Sequence, residues 1–269
     1  GALTDSSIPK LYLAGVIPGI VLASLFSLTV LIVCLVRPEY GGKRMHASWQ
    51  ARIRALPDLI PPLVIFLAVI GSIYAGLATA TESAALGVLV ALFFVWRAGK
   101  LTREVLENCF MQTARTSGMI LLIIVAAFIL NLTIGLTGVA DAITKWVTTF
   151  GFSATQMLLA LTLFYLILGM FMDVLSMQVA TIPITYPIVS ALGVDPIWYG
   201  IYIVLMCELG MITPPVGMNL FVVHGIRPDK GGIADAIWGA LPYAVIMLLF
   251  TFLLMAAPWL ATWLPGKMD

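Results

Sequence analysis

Sixteen residues, Glu208 to Val223 (ELGMITPPVGMNLFVV), place two consecutive prolines, two glycines, a threonine and an asparagine inside a strongly apolar stretch. A plain membrane-spanning helix would gain nothing from them. Each proline lacks a backbone donor, so a carbonyl one turn earlier loses its partner and the helical ladder is interrupted. In lipid such freed backbone groups must be satisfied, and broken helices that line ion and substrate sites in transporters do this by binding something small.

The surroundings make lipid the relevant solvent. The chain is 61% hydrophobic with a mean hydropathy of +1.07 and only 10% charged residues, against about 25% charged in soluble proteins. The composition predicts a polytopic membrane protein with several embedded segments, some too short to cross alone. A net charge of +1 excludes bulk attraction to nucleic acid. Cys34, Cys109 and Cys207 are scattered and odd in number, with no disulfide framework or metal spacing.

The cleanest span is Leu11 to Val36, 26 residues without a charge. Arg37 to Pro57 then carries Arg37, Lys43, Arg44, Arg52 and Arg54 against Glu39, with His46 and Trp49, and is expected at the cytoplasmic face as a scaffold segment in the headgroups. Two apolar stretches, Pro61 to Ala75 and Ser83 to Trp96, flank Gly76-Leu-Ala-Thr-Ala-Thr-Glu82 and predict a broken or re-entrant element. Arg97 to about Ser117 has an apolar side (Leu101, Val105, Leu106, Cys109, Phe110) and a charged one, and predicts an amphipathic surface helix on the same face as the first basic loop. That orientation requires the chain to leave and return between Pro57 and Arg97. Further on, a helix ends near Gly135 and Gly138, a short amphipathic helix with Asp141 covers Val139 to Phe150, and Ala154 to Met172 is apolar. A helix distorted by Pro183 and Pro187 follows, then Ile197 to Leu209, then the proline pair with Val216 to Val223 as the second arm of a hairpin. A long last span, Ile237 to Leu264, carries Trp259 and Trp263 near its end. The resulting division is 1–57, 58–96, 97–117, 118–207, 208–224 and 225–269.

Ionisable groups buried in lipid are costly and mark function by default. Asp173, four residues after Gly169, stands at a helix break beside freed carbonyls, where a carboxylate is a natural ligand for a hard cation. It would equally cap the next helix. Glu82 falls in the first turn of a helix and needs no ligand to explain it, whereas the Thr79 and Thr81 hydroxyls divide between ligand and cap. In the last motif, Gly210, the Thr213 hydroxyl, carbonyls freed by Pro214 and Pro215, Gly217 and the Asn219 amide form the candidate set, and Glu208 precedes them. These features permit a sodium-coupled carrier without distinguishing sodium from protons, since Asp173 or Glu208 could titrate instead. No enzyme constellation is present: His46 and His224 stand far apart outside any HExxH pattern, and the GxSxG elbow and P-loop are missing. No metal other than sodium and no cofactor is expected.

Four segments carry a family likeness: Lys10 to Ile20 (KLYLAGVIPGI), Gly76 to Val88 (GLATATESAALGV), Leu168 to Asp173 (LGMFMD) and Glu208 to Val223. In these the chain resembles the large membrane subunit of tripartite ATP-independent periplasmic (TRAP) transporters, and it looks like the C-terminal two thirds of one. The resemblance implies an all-α elevator-type fold in which 208–224 is a re-entrant hairpin with Pro214 and Pro215 at its tip. It also implies a sodium site involving Asp173, Gly169, Gly210 and Thr213, and transport-domain polar groups at Thr79, Thr81, Glu82, Gly217 and Asn219. The implied partners are a small membrane subunit, a soluble periplasmic binding protein, an organic acid such as a C4-dicarboxylate or sialic acid, and membrane lipid, in a bacterial inner membrane. A carrier of another family, a channel or a non-transport scaffold would share parts of this pattern. Uptake without a binding protein, rapid conductance, and indifference to loss of the Asp173 charge would respectively mark them.

Overall fold

The computed structural model describes residues 1, 3–4, 6–41, 48–139, 142–143, 145, 149, 151–227 and 231–267. Lys43, Arg44, His46, Asp141 and most of the helix expected over Val139 to Phe150 lie outside them. Among the described residues every regular element is helical. Six helices among these residues are long and apolar enough to cross a membrane, as an all-α polytopic protein requires. The chain divides into two compact units, Gly1–Val36 with Ile120–Asp269, and Arg37–Met119.

In the second unit the short helix α2 (Trp49–Ala55) leads to α3 (Ile60–Phe66), which begins on the proline pair Pro61-Pro62. Proline suits a helix start because its missing donor would be unpaired there anyway. A π-helical turn (Leu67–Gly71) and the single turn α4 (Ser72–Tyr74) continue this arm. The chain breaks over 75–79 and returns as α5 (Ala80–Arg97). The Ser72 and Ser83 hydroxyls meet at 2.9 Å, and a Cβ on Gly87 would stand 2.7 Å from Val69 Cγ2. Residue 72 facing 83 and residue 69 facing 87 make the two arms antiparallel. This is the departure and return that the basic segments demand.

One boundary differs from the sequence expectation. The amphipathic stretch is not a separate helix over 97–117: a turn around Gly99 (φ +66°) is followed by α6 (Arg103–Thr137), which runs on into the apolar stretch without interruption. No proline falls between Arg103 and Thr137, so nothing removes a donor from the ladder, and the change from amphipathic to apolar surface does not by itself end a helix. Its end at Gly138 (φ +66°) is where the sequence placed it.

The first unit is built around α9 (Pro196–Met211), the most buried helix. Against it pack α1 (Ile8–Val36), α7 (Ala154–Gly169), α8 (Val174–Ala191), α11 (Ile233–Ala256) and α12 (Trp259–Thr262). Asp195 caps α9 by accepting from the Trp198 N–H at 2.8 Å, and Pro196 opens it. Tyr165, Tyr199, Tyr202, Phe250 and Leu254 fill the core. Trp198 stacks on Tyr202 at 5.6 Å and donates from Nε1 to the Leu254 carbonyl. Helix α8 runs through Pro183 and Pro187, as expected. The last span is shorter than 237–264. It starts at Ile233 and ends at Ala256, because Pro258 has no donor and the residue before it, Ala257, leaves the helical region (φ −129°, ψ 69°). The short α12 then packs on α1, with Trp259 and Trp263 exposed.

Candidate functional site: two helix breaks at one end of a three-helix core

Three helices set the geometry, and their pairwise contacts give their directions. Along α7 and α9, Thr162 faces Tyr202 (3.0 Å between hydroxyls) and Gly169 faces Gly210, so the two helices run the same way. Helix α8 opposes both: Thr181 and Thr185 bond Tyr165, Thr185 bonds Tyr199 at 2.7 Å, and Gln178 Nε2 reaches Cys207 Sγ at 3.4 Å. The C-terminal ends of α7 and α9 therefore lie together, at the end where α8 begins.

Both ends stop in a break. Helix α7 ends at Gly169, and residues 170–173 turn the chain into α8. Helix α9 ends at Met211, and residues 212–217, with a cis Pro214-Pro215 bond, lead into α10 (Met218–Ile226). At the crossing neither glycine tolerates a side chain. A Cβ on Gly210 would stand 2.6 Å from Gly169 Cα, and one on Gly169 would stand 2.9 Å from Gly210 Cα. Backbone touches backbone there, as small residues allow between membrane helices.

The interruptions leave carbonyls without ladder partners. The Gly210 carbonyl, which loses Pro214 as a donor, is recovered by the Thr213 N–H at 3.1 Å. Met211, whose partner one turn on is Pro215, receives no backbone donor among the described residues. The Thr213 hydroxyl donates to the Leu209 carbonyl at 2.6 Å, leaving its lone pairs to accept or coordinate. Gly217 takes a left-handed conformation (φ +51°) and starts α10 without a side-chain cap. A Cβ there would meet the Thr213 carbonyl at 2.9 Å. Asn219 is half-buried in the first turn of α10.

Asp173 is the N-cap of α8, and its Oδ2 accepts from the Ser176 N–H at 3.1 Å. The capping role read as an alternative is thus present, and it places a carboxylate at the start of α8, the end of the core at which α7 and α9 stop. Glu208 points to an exposed side of α9 with Val204. Thr79, Thr81 and Glu82 belong to the other unit. Thr79 and Glu82 form a complete capping box on α5: Glu82 Oε2 accepts from the Thr79 N–H and hydroxyl, both at 2.8 Å, and the Glu82 N–H donates to Thr79 Oγ1 at 3.3 Å. That geometry accounts for the pair locally, while Thr81 stands exposed. Among the described residues no group of three or more His, Cys, Asp or Glu side chains could hold a metal ion.

Sequence reasoning did not find the hydroxyl cluster beneath the breaks, formed by Tyr165, Thr181, Thr185 and Tyr199. Thr181 and Thr185 at i,i+4 on an apolar helix were the available signal.

Residues 1–260 fit the family model described as Tripartite ATP-independent periplasmic transporter, DctM component. The chain belongs to that family. It is 32% identical, over 98% of its length and 62% of the relative, to the C4-dicarboxylate TRAP transporter large permease protein DctM of Vibrio cholerae. It is 33% identical, over 98% of its length and 59% of the relative, to the protein of the same description in Rhodobacter capsulatus. It is 27% identical, over 84% of its length and 53% of the relative, to the sialic acid TRAP transporter large permease protein SiaM of Vibrio cholerae. The chain spans about three fifths of the length of the C4-dicarboxylate relatives it matches. As a DctM-family chain with apolar helices of spanning length, it is a multi-pass protein of the bacterial inner membrane and not an enzyme.

Proposed function

We propose that this chain forms part of a sodium-coupled carrier for an organic acid, and that the two breaks at the ends of α7 and α9 form its coupling-ion site. The observation that carries the reading is the meeting of Gly169 with Gly210. With it, the Asp173 carboxylate, the Thr213 hydroxyl and the Met211 carbonyl, which receives no backbone donor among the described residues, lie at one end of the core. Such oxygen donors suit a hard cation, and the carboxylate offsets its charge. No Lys or Arg occurs from residue 146 to 226, so an anionic substrate near these breaks gains its countercharge from a bound cation and from the backbone donors opening α8 and α10. Relatives named for C4-dicarboxylate and sialic acid point to a carboxylate-bearing substrate. Membership of the family supports a small membrane subunit and a soluble periplasmic binding protein as partners, with the transport unit moving as an elevator against a fixed scaffold.

Uptake of a labelled organic acid into liposomes tests this reading. The full-length permease is reconstituted with its small subunit, with and without binding protein, under inward sodium or proton gradients. Uptake driven by sodium and dependent on binding protein is the expected result. Accumulation driven equally well by a proton gradient in the absence of sodium would overturn the coupling, and uptake without binding protein would overturn the partnership.

A further inference from the structure

The geometry points to Tyr165 as the positioning residue of the paired-break site: its buried hydroxyl fixes the register of α7 against α8 and α9. The inference rests on the coupling-ion reading above. Tyr165 has no solvent-exposed surface and lies one turn before Gly169 on the same helix, so both side-chain positions share a face. Its Oη lies 3.0 Å from Thr181 Oγ1, 2.9 Å from Thr185 Oγ1 and 3.4 Å from Tyr199 Oη. With Tyr199 and Thr185, it is one of the hydroxyls at which all three helices meet.

The bonding pattern shows why the two tyrosines matter most. The Thr181 hydroxyl donates to the Met177 carbonyl at 2.7 Å, and the Thr185 hydroxyl to the Thr181 carbonyl at 2.9 Å. Both threonine hydroxyls are thereby anchored to the α8 backbone. The hydrogen bonds from this cluster that tie α8 to its neighbours run through the hydroxyls of Tyr165 and Tyr199. The Tyr165 hydroxyl donates to Thr181, joining α7 to α8, and the Tyr199 and Thr185 hydroxyls share a hydrogen bond that joins α9 to α8. The apolar contacts around them are non-directional and tolerate axial slip. A satisfied buried polar network does not, since slip leaves its groups unpaired in a low dielectric. Thr181 in turn follows Met177 by one turn, and Met177 Sδ lies 3.6 Å from where a Gly169 Cβ would stand. The cluster thus stands directly behind the glycine crossing, where an error of a few tenths of an ångström would part the two breaks.

Tyr202 is the matched control. It is equally buried, and its hydroxyl contacts Thr162 Oγ1 and donates to the Leu158 carbonyl, farther along α7 from the breaks. The experiment compares Tyr165→Phe, Tyr199→Phe and Tyr202→Phe in the full-length permease with its small subunit and binding protein. It reads the sodium concentration for half-maximal uptake, the maximal rate at saturating sodium, the thermal midpoint, and amide hydrogen exchange over 170–173 and 211–217. Tyr165→Phe is expected to raise the sodium half-saturation roughly three- to tenfold, the loss of one buried hydrogen bond, with the maximal rate little changed and faster exchange at both breaks. Tyr199→Phe should shift the same quantities in the same direction, which keeps the test decisive if Tyr165→Phe does not fold. Tyr202→Phe should lower the thermal midpoint alone. Wild-type sodium half-saturation and exchange in the first two variants, or identical shifts in all three, would reduce Tyr165 to a packing residue. If wild-type uptake ignores sodium while Tyr165→Phe still accelerates exchange at the breaks, the coupling reading falls and the positioning role stands.

Discussion

Asparagine caps a helix about as well as aspartate, and this separates the two jobs that Asp173 can hold. Asp173→Asn keeps an oxygen to accept the Ser176 N–H and loses only the charge. Its stability should stay within about 0.5 kcal/mol of wild type, whereas Asp173→Ala should lose about 1 kcal/mol with the cap. If the carboxylate also ligates sodium, the Asn variant should need at least about tenfold more sodium for half-maximal uptake, since a charge-assisted contact is worth more than 1.4 kcal/mol. Sodium dependence of uptake near wild type would leave Asp173 a cap alone. Glu82 invites the opposite expectation. Gln completes a capping box as Glu does, so Glu82→Gln should leave uptake unchanged; a steep fall in uptake with folding intact would give Glu82 a role in the site. Asp173, Thr213 and Glu82 were all legible as candidates, because acids and hydroxyls are conspicuous in an apolar chain. Tyr165 was not. Its partners Thr181, Thr185 and Tyr199 lie 16 to 34 residues away, and only the folded core brings them to it.

Helix interruptions were the most legible elements. Pro214-Pro215, Gly138 and the Gly76 to Thr79 stretch each break the chain where backbone chemistry requires. Less legible were features whose cause is a neighbour, above all the Gly169–Gly210 crossing, since nothing in either local sequence says which glycine meets which. The crossing yields a sharp expectation. In Gly210→Ala the new methyl group would meet the α7 backbone, not a side chain that could swing away. The helices must part, at a cost of about 1–3 kcal/mol, and sodium-dependent uptake should fall sharply. Gly239→Ala in α11 is the control: open space surrounds that position, and alanine in a helix interior gains up to about 1 kcal/mol over glycine. The thermal midpoint should fall in the first variant and rise in the second, and uptake should fall in the first alone. Equal behaviour would mean that the close approach of α7 and α9 is dispensable.

At the scale of the whole molecule, charge distribution and topology constrain each other. The antiparallel packing of the α3–α4 arm on α5, set by Ser72 against Ser83 and Val69 against Gly87, returns Arg97 to the end from which Ile60 departs. At 1.5 Å per residue the arms are about 22 and 27 Å long, comparable to or shorter than the roughly 30 Å hydrocarbon core. The basic residues before and after the hairpin, Arg37 and Arg54 on one side and Arg97, Lys100 and Arg103 on the other, are therefore expected at one membrane face, and the excess of positive charge predicts that it is the cytoplasmic one. Single cysteines at Glu39 and Ala98, introduced after replacing Cys34, Cys109 and Cys207, should both resist a membrane-impermeant thiol reagent in intact spheroplasts and react once the membrane is opened. The pair carries more information than either site alone. Labelling of both from outside would reverse the orientation and keep the hairpin. Labelling of one from each side would mean an odd number of crossings between Glu39 and Ala98, against the even number expected from the antiparallel arms joined by Ser72 and Ser83.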